Sequence, residues 1–159
     1  MLTRFADKTD LDAINTVVSE AISVWPMAER AKRLAVTAMS YSPLDFDYFR
    51  FTVGLEGNKI VAVVVWDQTS VHATVNGPAK LVHGLYVLPD CQAKGWGKYL
   101  LTEAFVSVAL DADVVGVLIR AERVSVSFFE HLGLTPLPAQ KASDYPYRFW
   151  FSLYLSAPI

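Results

Sequence analysis

The 159-residue chain is 53% hydrophobic and 13% aromatic, with a formal net charge of −2, which excludes a disordered segment and fits one domain with a full core. No run of lysine and arginine points to nucleic acid, and the single cysteine, Cys91, excludes an internal disulfide framework and suits a reducing compartment. The N-terminal stretch MLTRFADKTDLDAI lacks the apolar core of a signal peptide, and the longest apolar run, Ile60 to Trp66, falls far short of the about 20 residues that span a bilayer. We therefore expect a cytoplasmic protein without a membrane partner.

In chain order, Thr9-Asp10 reads as a helix cap before LDAINTVVSEAI, whose Leu11, Ile14, Val18 and Ile22 recur at helical spacing. Pro26 ends or bends this helix, and a second covers Ala28 to Met39, closed by Tyr41-Ser42-Pro43. Phe51, Val53 and Leu55 alternate with Thr52, Gly54 and Glu56, and the turn EGNK makes Phe51–Asp67 a hairpin. Ser70 to Pro78 is loop or strand end. Lys80 to Leu88 is a strand, Gly97 to Ala109 a helix, Asp113 to Arg120 a buried-type strand and Val124 to Leu132 a short helix with Gly133 as its left-handed cap. Tyr147 to Leu155 alternates as a last strand. Helices interleaved with strands in this order predict one mixed-sheet α/β domain over residues 1–159.

The junction LYVLPDCQAKGWGK, residues 85–98, puts bare glycines between a strand and a helix. A P-loop requires glycine where Gln92 stands and Ser or Thr where Tyr99 stands. A dinucleotide fingerprint requires glycine at Leu100. Both motifs fail by residue, but the physics does not depend on either. Glycines at a helix N-terminus expose backbone N–H groups at the positive end of the dipole, where a pyrophosphate binds. Lys94 and Lys98 add charge at the rim. The same glycines also serve a tight turn with no ligand.

Val87-x-Pro89-x-x-Gln92-x-x-Gly95-x-Gly97 resembles the acetyl-CoA motif of the GCN5-related N-acetyltransferase (GNAT) superfamily. AERVSVSFFEHLGL, residues 121–134, is a weaker match to that family's second motif. The order of elements resembles the family over nearly the whole chain. The resemblance implies the GNAT fold, a mixed, mostly antiparallel sheet flanked by helices. It implies acetyl-CoA as acyl donor, its pyrophosphate held by backbone at Gln92, Ala93, Lys94, Gly95, Trp96, Gly97 and Lys98. The pantetheine arm is implied to lie along Leu85, Tyr86 and Val87, with Phe129 in reach of it. The implied reaction is direct attack of a primary amine on the thioester, and the acceptor is a small molecule or a peptide.

The catalytic side chains are less plain. The strand LVHGLYV has no carboxylate, the family's position for one falling near Leu81, but His83 lies two residues on and by strand alternation shares a face with Leu81, Leu85 and Val87. A histidine near pKa 6.5 suits a base; a half-buried strand histidine bonded to a neighbour fits equally. Phe129 stands where the family carries its acidic tyrosine, which leaves Tyr147 or Tyr145 to serve as acid, and Glu122 stands in place of the family's asparagine. Trp25, Met27, Tyr41, Tyr48 and Trp66 are candidates for an acceptor pocket or for ordinary packing, and Asp45 and Asp47 for an ammonium site or a solvated loop. Cys91 has no histidine near it in sequence, and His72, His83 and His131 have no metal-ligand spacing. An exposed last strand would suit a homodimer. Two rivals are a GNAT-fold module that holds acyl-CoA without turnover and an α/β interaction domain with no CoA.

Overall fold

A computed structural model describes residues 1–154. Its strands are β1 (Leu2–Phe5), β2 (Phe49–Glu56), β3 (Lys59–Asp67), β4 (His72–Thr74), β5 (Gly77–Val87), β6 (Gly116–Arg120), β7 (Thr135–Pro136) and β8 (Arg148–Ser152). The helices are α1 (Leu11–Ser23), α2 (Glu29–Met39), α3 (Trp96–Val108) and α4 (Val126–His131). One sheet runs β1-β2-β3-β5-β6-β8-β7, with β4 paired to the start of β5. Every pairing is antiparallel except β5 with β6. This is the mixed sheet that the order of elements predicts, and the mostly antiparallel one that the resemblance implies.

The hairpin falls where alternation placed it, and Gly57 at its turn takes φ +61°, a conformation that glycine enters without strain. β3 is buried on both faces from Ile60 to Asp67, as a strand between two helical layers must be. The helix α1 buries Ile14, Val17, Val18, Ala21 and Ile22 against one of those faces. Its start differs from the sequence expectation. The capping box belongs to Asp7, whose carboxylate accepts from Thr9 N at 2.9 Å, while Asp10 accepts from Asp7 N and pairs with Arg4 at 2.8 Å. On the opposite face α3 buries Trp96, Leu100, Leu101, Ala104, Phe105 and Val108. Trp96 packs over Gly54, where a Cβ would come within 2.4 Å of the indole ring. The missing side chain of β2 thus lets the first residue of α3 pack directly onto the sheet.

β8 is paired on both sides at Phe149 and Trp150, with β6 along one edge and the two-residue β7 on the other. The last strand therefore offers no free edge there for a second copy, and it ends at Ser152; Leu155 lies outside the described residues. Among the described residues no helix is long and apolar enough to cross a membrane.

Candidate active site

The site begins where two parallel strands stop pairing. β6 pairs with β5 only over Ala79–Val82, opposite Gly116–Ile119. Beyond Val82, β5 continues to Val87 with β3 on one side and no strand on the other. A cavity of about 200 Å³ fills the gap, lined by His83, Leu85, Tyr86, Arg120, Glu122 and Phe129 among others, and roofed by Trp25 and Met39. Leu85, Tyr86 and Val87 thus lie on a strand edge that no second strand covers, with the Val87 carbonyl taken by the Gln92 side chain. The side chain of Tyr86 is buried, and burial raises its pKa, helped by the nearby charge of Glu122.

The loop that follows presents bare backbone. Pro89–Cys91 form one 3₁₀ turn, Gln92 is extended, Ala93 takes φ +59° and Gly95 caps α3 in the left-handed region at φ +92°. Alternating hand along such a loop turns successive N–H groups toward one concavity. No acceptor among the described residues meets the backbone N–H groups of Ala93 through Lys98, and Gln92, Ala93, Lys94 and Gly95 are all exposed. The frame is fixed at both ends. Gln92 Nε2 donates to Val87 O at 3.1 Å, and the buried Trp96 donates from Nε1 to Glu56 Oε1 at 3.3 Å. Trp96 and Gly97 therefore contribute backbone to the loop while packing elsewhere: a Cβ on Gly97 would reach within 2.9 Å of the Phe128 ring.

His83 departs from the simple strand pattern. The β3–β5 register slips between Val65 and Trp66, so that Val65 faces Gly84 and Trp66 faces Val82, leaving His83 as the extra residue. Such a bulge re-aims a side chain. Leu81 is buried in a small cluster with Leu118, Leu137 and Trp150, whereas His83 stacks on Phe49 at 4.5 Å and sets Nδ1 3.1 Å from the Tyr41 hydroxyl. The alternation that gave His83 and Leu81 one face therefore does not hold. His83 is an exposed residue, but partial burial of its ring, and then the positive charge of Arg120, lower its pKa below the ordinary 6.5.

Tyr41 is buried, and its main chain is clamped to α1 by two 2.9 Å bonds with the Asn15 amide. Of the other candidates for an acceptor pocket, only Trp25 joins the cavity wall; Met27 and Tyr48 are exposed elsewhere and Trp66 is buried in the core. Tyr145 lines the cavity, with the Arg120 guanidinium 5.0 Å from its ring centre. Tyr147 does not line it: its carbonyl accepts from Ala121 N, which pins β8 to the end of β6. Phe129 is buried at the cavity floor against Phe149. Asp45 is occupied in a turn, accepting from Ser42 N at 2.7 Å. Sequence reasoning did not foresee Arg120 in the site and saw Glu122 only as a motif substitution, because neither stands in a spacing that signals chemistry; only the divergence of β5 from β6 places them on the cavity.

A family model for an acetyltransferase (GNAT) domain matches residues 47–135, more than half of the chain, and the protein belongs to that family. No curated protein matches the sequence. Among solved structures, a putative GNAT-family acetyltransferase from Desulfovibrio desulfuricans is 16% identical with a TM-score of 0.66, covering 96% of this chain and 98% of that one. The PaiA N-acetyltransferase of Thermoplasma acidophilum, in complex with coenzyme A, is 16% identical with a TM-score of 0.68, covering 94% and 98%. A mutant of the toxin AtaT, bound to the C-terminus of the antitoxin AtaR and to acetyl-CoA, is 15% identical with a TM-score of 0.62, covering 96% and 92%. At these identities the likeness is one of fold.

Proposed function

We propose that the protein is an acetyl-CoA-dependent N-acyltransferase that acylates a primary amine by direct attack. The observation that carries this reading is the adjacency of three features: the unpaired N–H groups of Ala93–Lys98, the open edge of β5 at Leu85–Val87, and the cavity between β5 and β6. The loop fits a pyrophosphate, since backbone donors at the positive end of a helix such as α3 bind anions. The free edge fits an amide-bearing arm, since an extended segment with N–H and C=O groups pairs with an open strand. Acetyl-CoA supplies an activated thioester when bound there.

The rest falls to the chain's own residues. Main-chain donors of β5 polarise a carbonyl that reaches the end of the strand edge. Trp25, Met39 and Tyr145 hold an acceptor over the cavity, with Glu122 as the group that takes its proton and His83 as a polar contact beside it. With Phe129 in the family's tyrosine place, Tyr145 replaces Tyr147 as the hydroxyl at hand for the departing thiolate. A thiol has a pKa of about 8.5 and leaves readily without strong acid help.

The test is thiol release from acetyl-CoA in the presence of a panel of amines, amino acids and peptides. Release that depends on one acceptor class, with mass spectrometry finding the acyl group on its nitrogen, is the expected result. Saturable CoA binding with no release across the panel would instead favour the non-catalytic module.

A further inference from the structure

We propose that Tyr41 is a positioning residue that holds neutral His83 as its Nε2–H tautomer, so that His83 presents a hydrogen-bond donor, not a base, to the cavity. The geometry is built for one arrangement. The Tyr41 main chain is held by both ends of the Asn15 amide, and its ring stands edge-on to Phe51 at 5.0 Å and to Phe49 at 6.5 Å. Gly84 keeps space for the hydroxyl, since a Cβ there would lie 2.5 Å from it. The hydroxyl then has one partner among the described residues, His83 Nδ1 at 3.1 Å.

A buried tyrosine proton needs an acceptor. If Nδ1 carried the ring proton, it would donate to the tyrosine oxygen and the hydroxyl proton would be left buried without a partner, at a cost of about 1–3 kcal/mol. If Nδ1 carries a lone pair, the hydroxyl donates to it and both groups are satisfied. The neutral imidazole therefore keeps its proton on Nε2, which has no partner among the described residues and belongs to a side chain that lines the cavity. Burial keeps Tyr41 protonated throughout the working range, in line with this direction of donation.

The consequence for chemistry rests on the acyltransferase reading; the tautomer does not. An Nε2–H group donates to a carbonyl or carboxylate oxygen and has no lone pair free for an ammonium proton. The carboxylate left in the cavity for that proton is Glu122.

The experiment is a nitrogen-15 NMR titration of His83 in the wild type and in Tyr41→Phe, using protein without CoA. The charged groups that bear on His83 are Asp45 after α2, Asp67 of β3 and Arg120 of β6; the substitution changes none of them. A hydroxyl that donates to neutral His83 lowers its pKa. Its removal should raise that pKa by roughly half to one unit, the equivalent of one neutral hydrogen bond, and the wild-type spectrum above the pKa should show a protonated Nε2. A lowered pKa in Tyr41→Phe means that the tyrosine favours the imidazolium, whose Nδ1–H donates to it, over the neutral ring, and it overturns the proposed hold on the neutral form. An unchanged pKa reduces Tyr41 to packing and overturns it as well. The wild-type spectrum decides the tautomer even if the variant does not fold, and a protonated Nδ1 there refutes the assignment. Because no CoA is present, failure of CoA binding counts against the acyltransferase reading alone.

Discussion

Gly84→Ala tests how tightly the Tyr41–His83 pair is built. The new Cβ would lie 2.5 Å from the Tyr41 hydroxyl, 2.7 Å from Tyr86 Cε2 and 3.5 Å from Tyr86 Cζ. Both rings are buried, and the Tyr41 backbone cannot withdraw while Asn15 holds it. Replacing a strand glycine by alanine favours folding by about 0.5–1 kcal/mol. Overpacking a filled core costs about 1–3 kcal/mol, and pushing the hydroxyl off His83 forfeits about 1 kcal/mol more. The clash wins, with a net loss of about 1–3 kcal/mol. At about 2–4 °C per kcal/mol for a domain of this size, differential scanning calorimetry should find Tm lower by about 3–10 °C. Tyr41→Phe in the same chain removes the atom that the methyl strikes. The double variant should therefore lose less than the sum of its parts. A Gly84→Ala protein as stable as the wild type, or a strictly additive double variant, would refute the packing argument.

His83→Ala should lower amine-dependent thiol release severalfold and leave CoA affinity nearly unchanged, since His83 is remote from the Ala93–Lys98 donors in sequence and touches Tyr41 and Phe49 instead; steady-state kinetics with calorimetric binding checks both. Glu122→Gln should cut turnover by about 10²-fold or more, the usual worth of a general base; turnover within severalfold of the wild type would remove Glu122 from proton transfer. Stability should depend on His83 in a defined direction. Its pKa is lowered in the fold, so between that value and 6.5 the unfolded chain binds a proton that the folded chain does not, and stability rises with pH through this window. Urea midpoints measured across it should slope less in His83→Ala than in the wild type. Asn15→Ala removes both clamps on Tyr41 and should cost about 1–3 kcal/mol, read by the same denaturation.

The parts of this molecule that repeat a period were legible in its sequence. The stripe Ile14, Val18, Ile22 is the buried face of α1, the hairpin alternation sets β2 against β3, and Gly133 takes φ +81° at the end of α4 as a left-handed cap should. The edges were not. β1 is four residues long and has no buried position, so the strand leaves no hydrophobic alternation to read. β4 and β7 are three and two residues long, held by pairing with β5 and β8 rather than by pattern. The loop from Gln92 to Lys98 was legible because its signal is absence: glycines, and no side chain to cap α3. The walls of the cavity were not, because they arise from long-range geometry. Tyr41 meets His83 across 42 positions, a bulge re-aims His83 away from the face that alternation gives it, and Glu122 reaches the cavity only because β6 leaves β5 after Val82.

The central claim is that the loop from Gln92 to Lys98 holds the pyrophosphate of coenzyme A, and the most direct measurement is the thermal shift of the purified protein with acetyl-CoA, with CoA and with neither. Ligand at about a hundredfold its dissociation constant should add roughly 2.7 kcal/mol, a rise of about 5–10 °C. Removing the pyrophosphate from the ligand (pantetheine alone) should abolish most of it. A folded protein whose Tm does not move at millimolar CoA would contradict the account, and LYVLPDCQAKGWGK would then be a turn between a strand and a helix and nothing more.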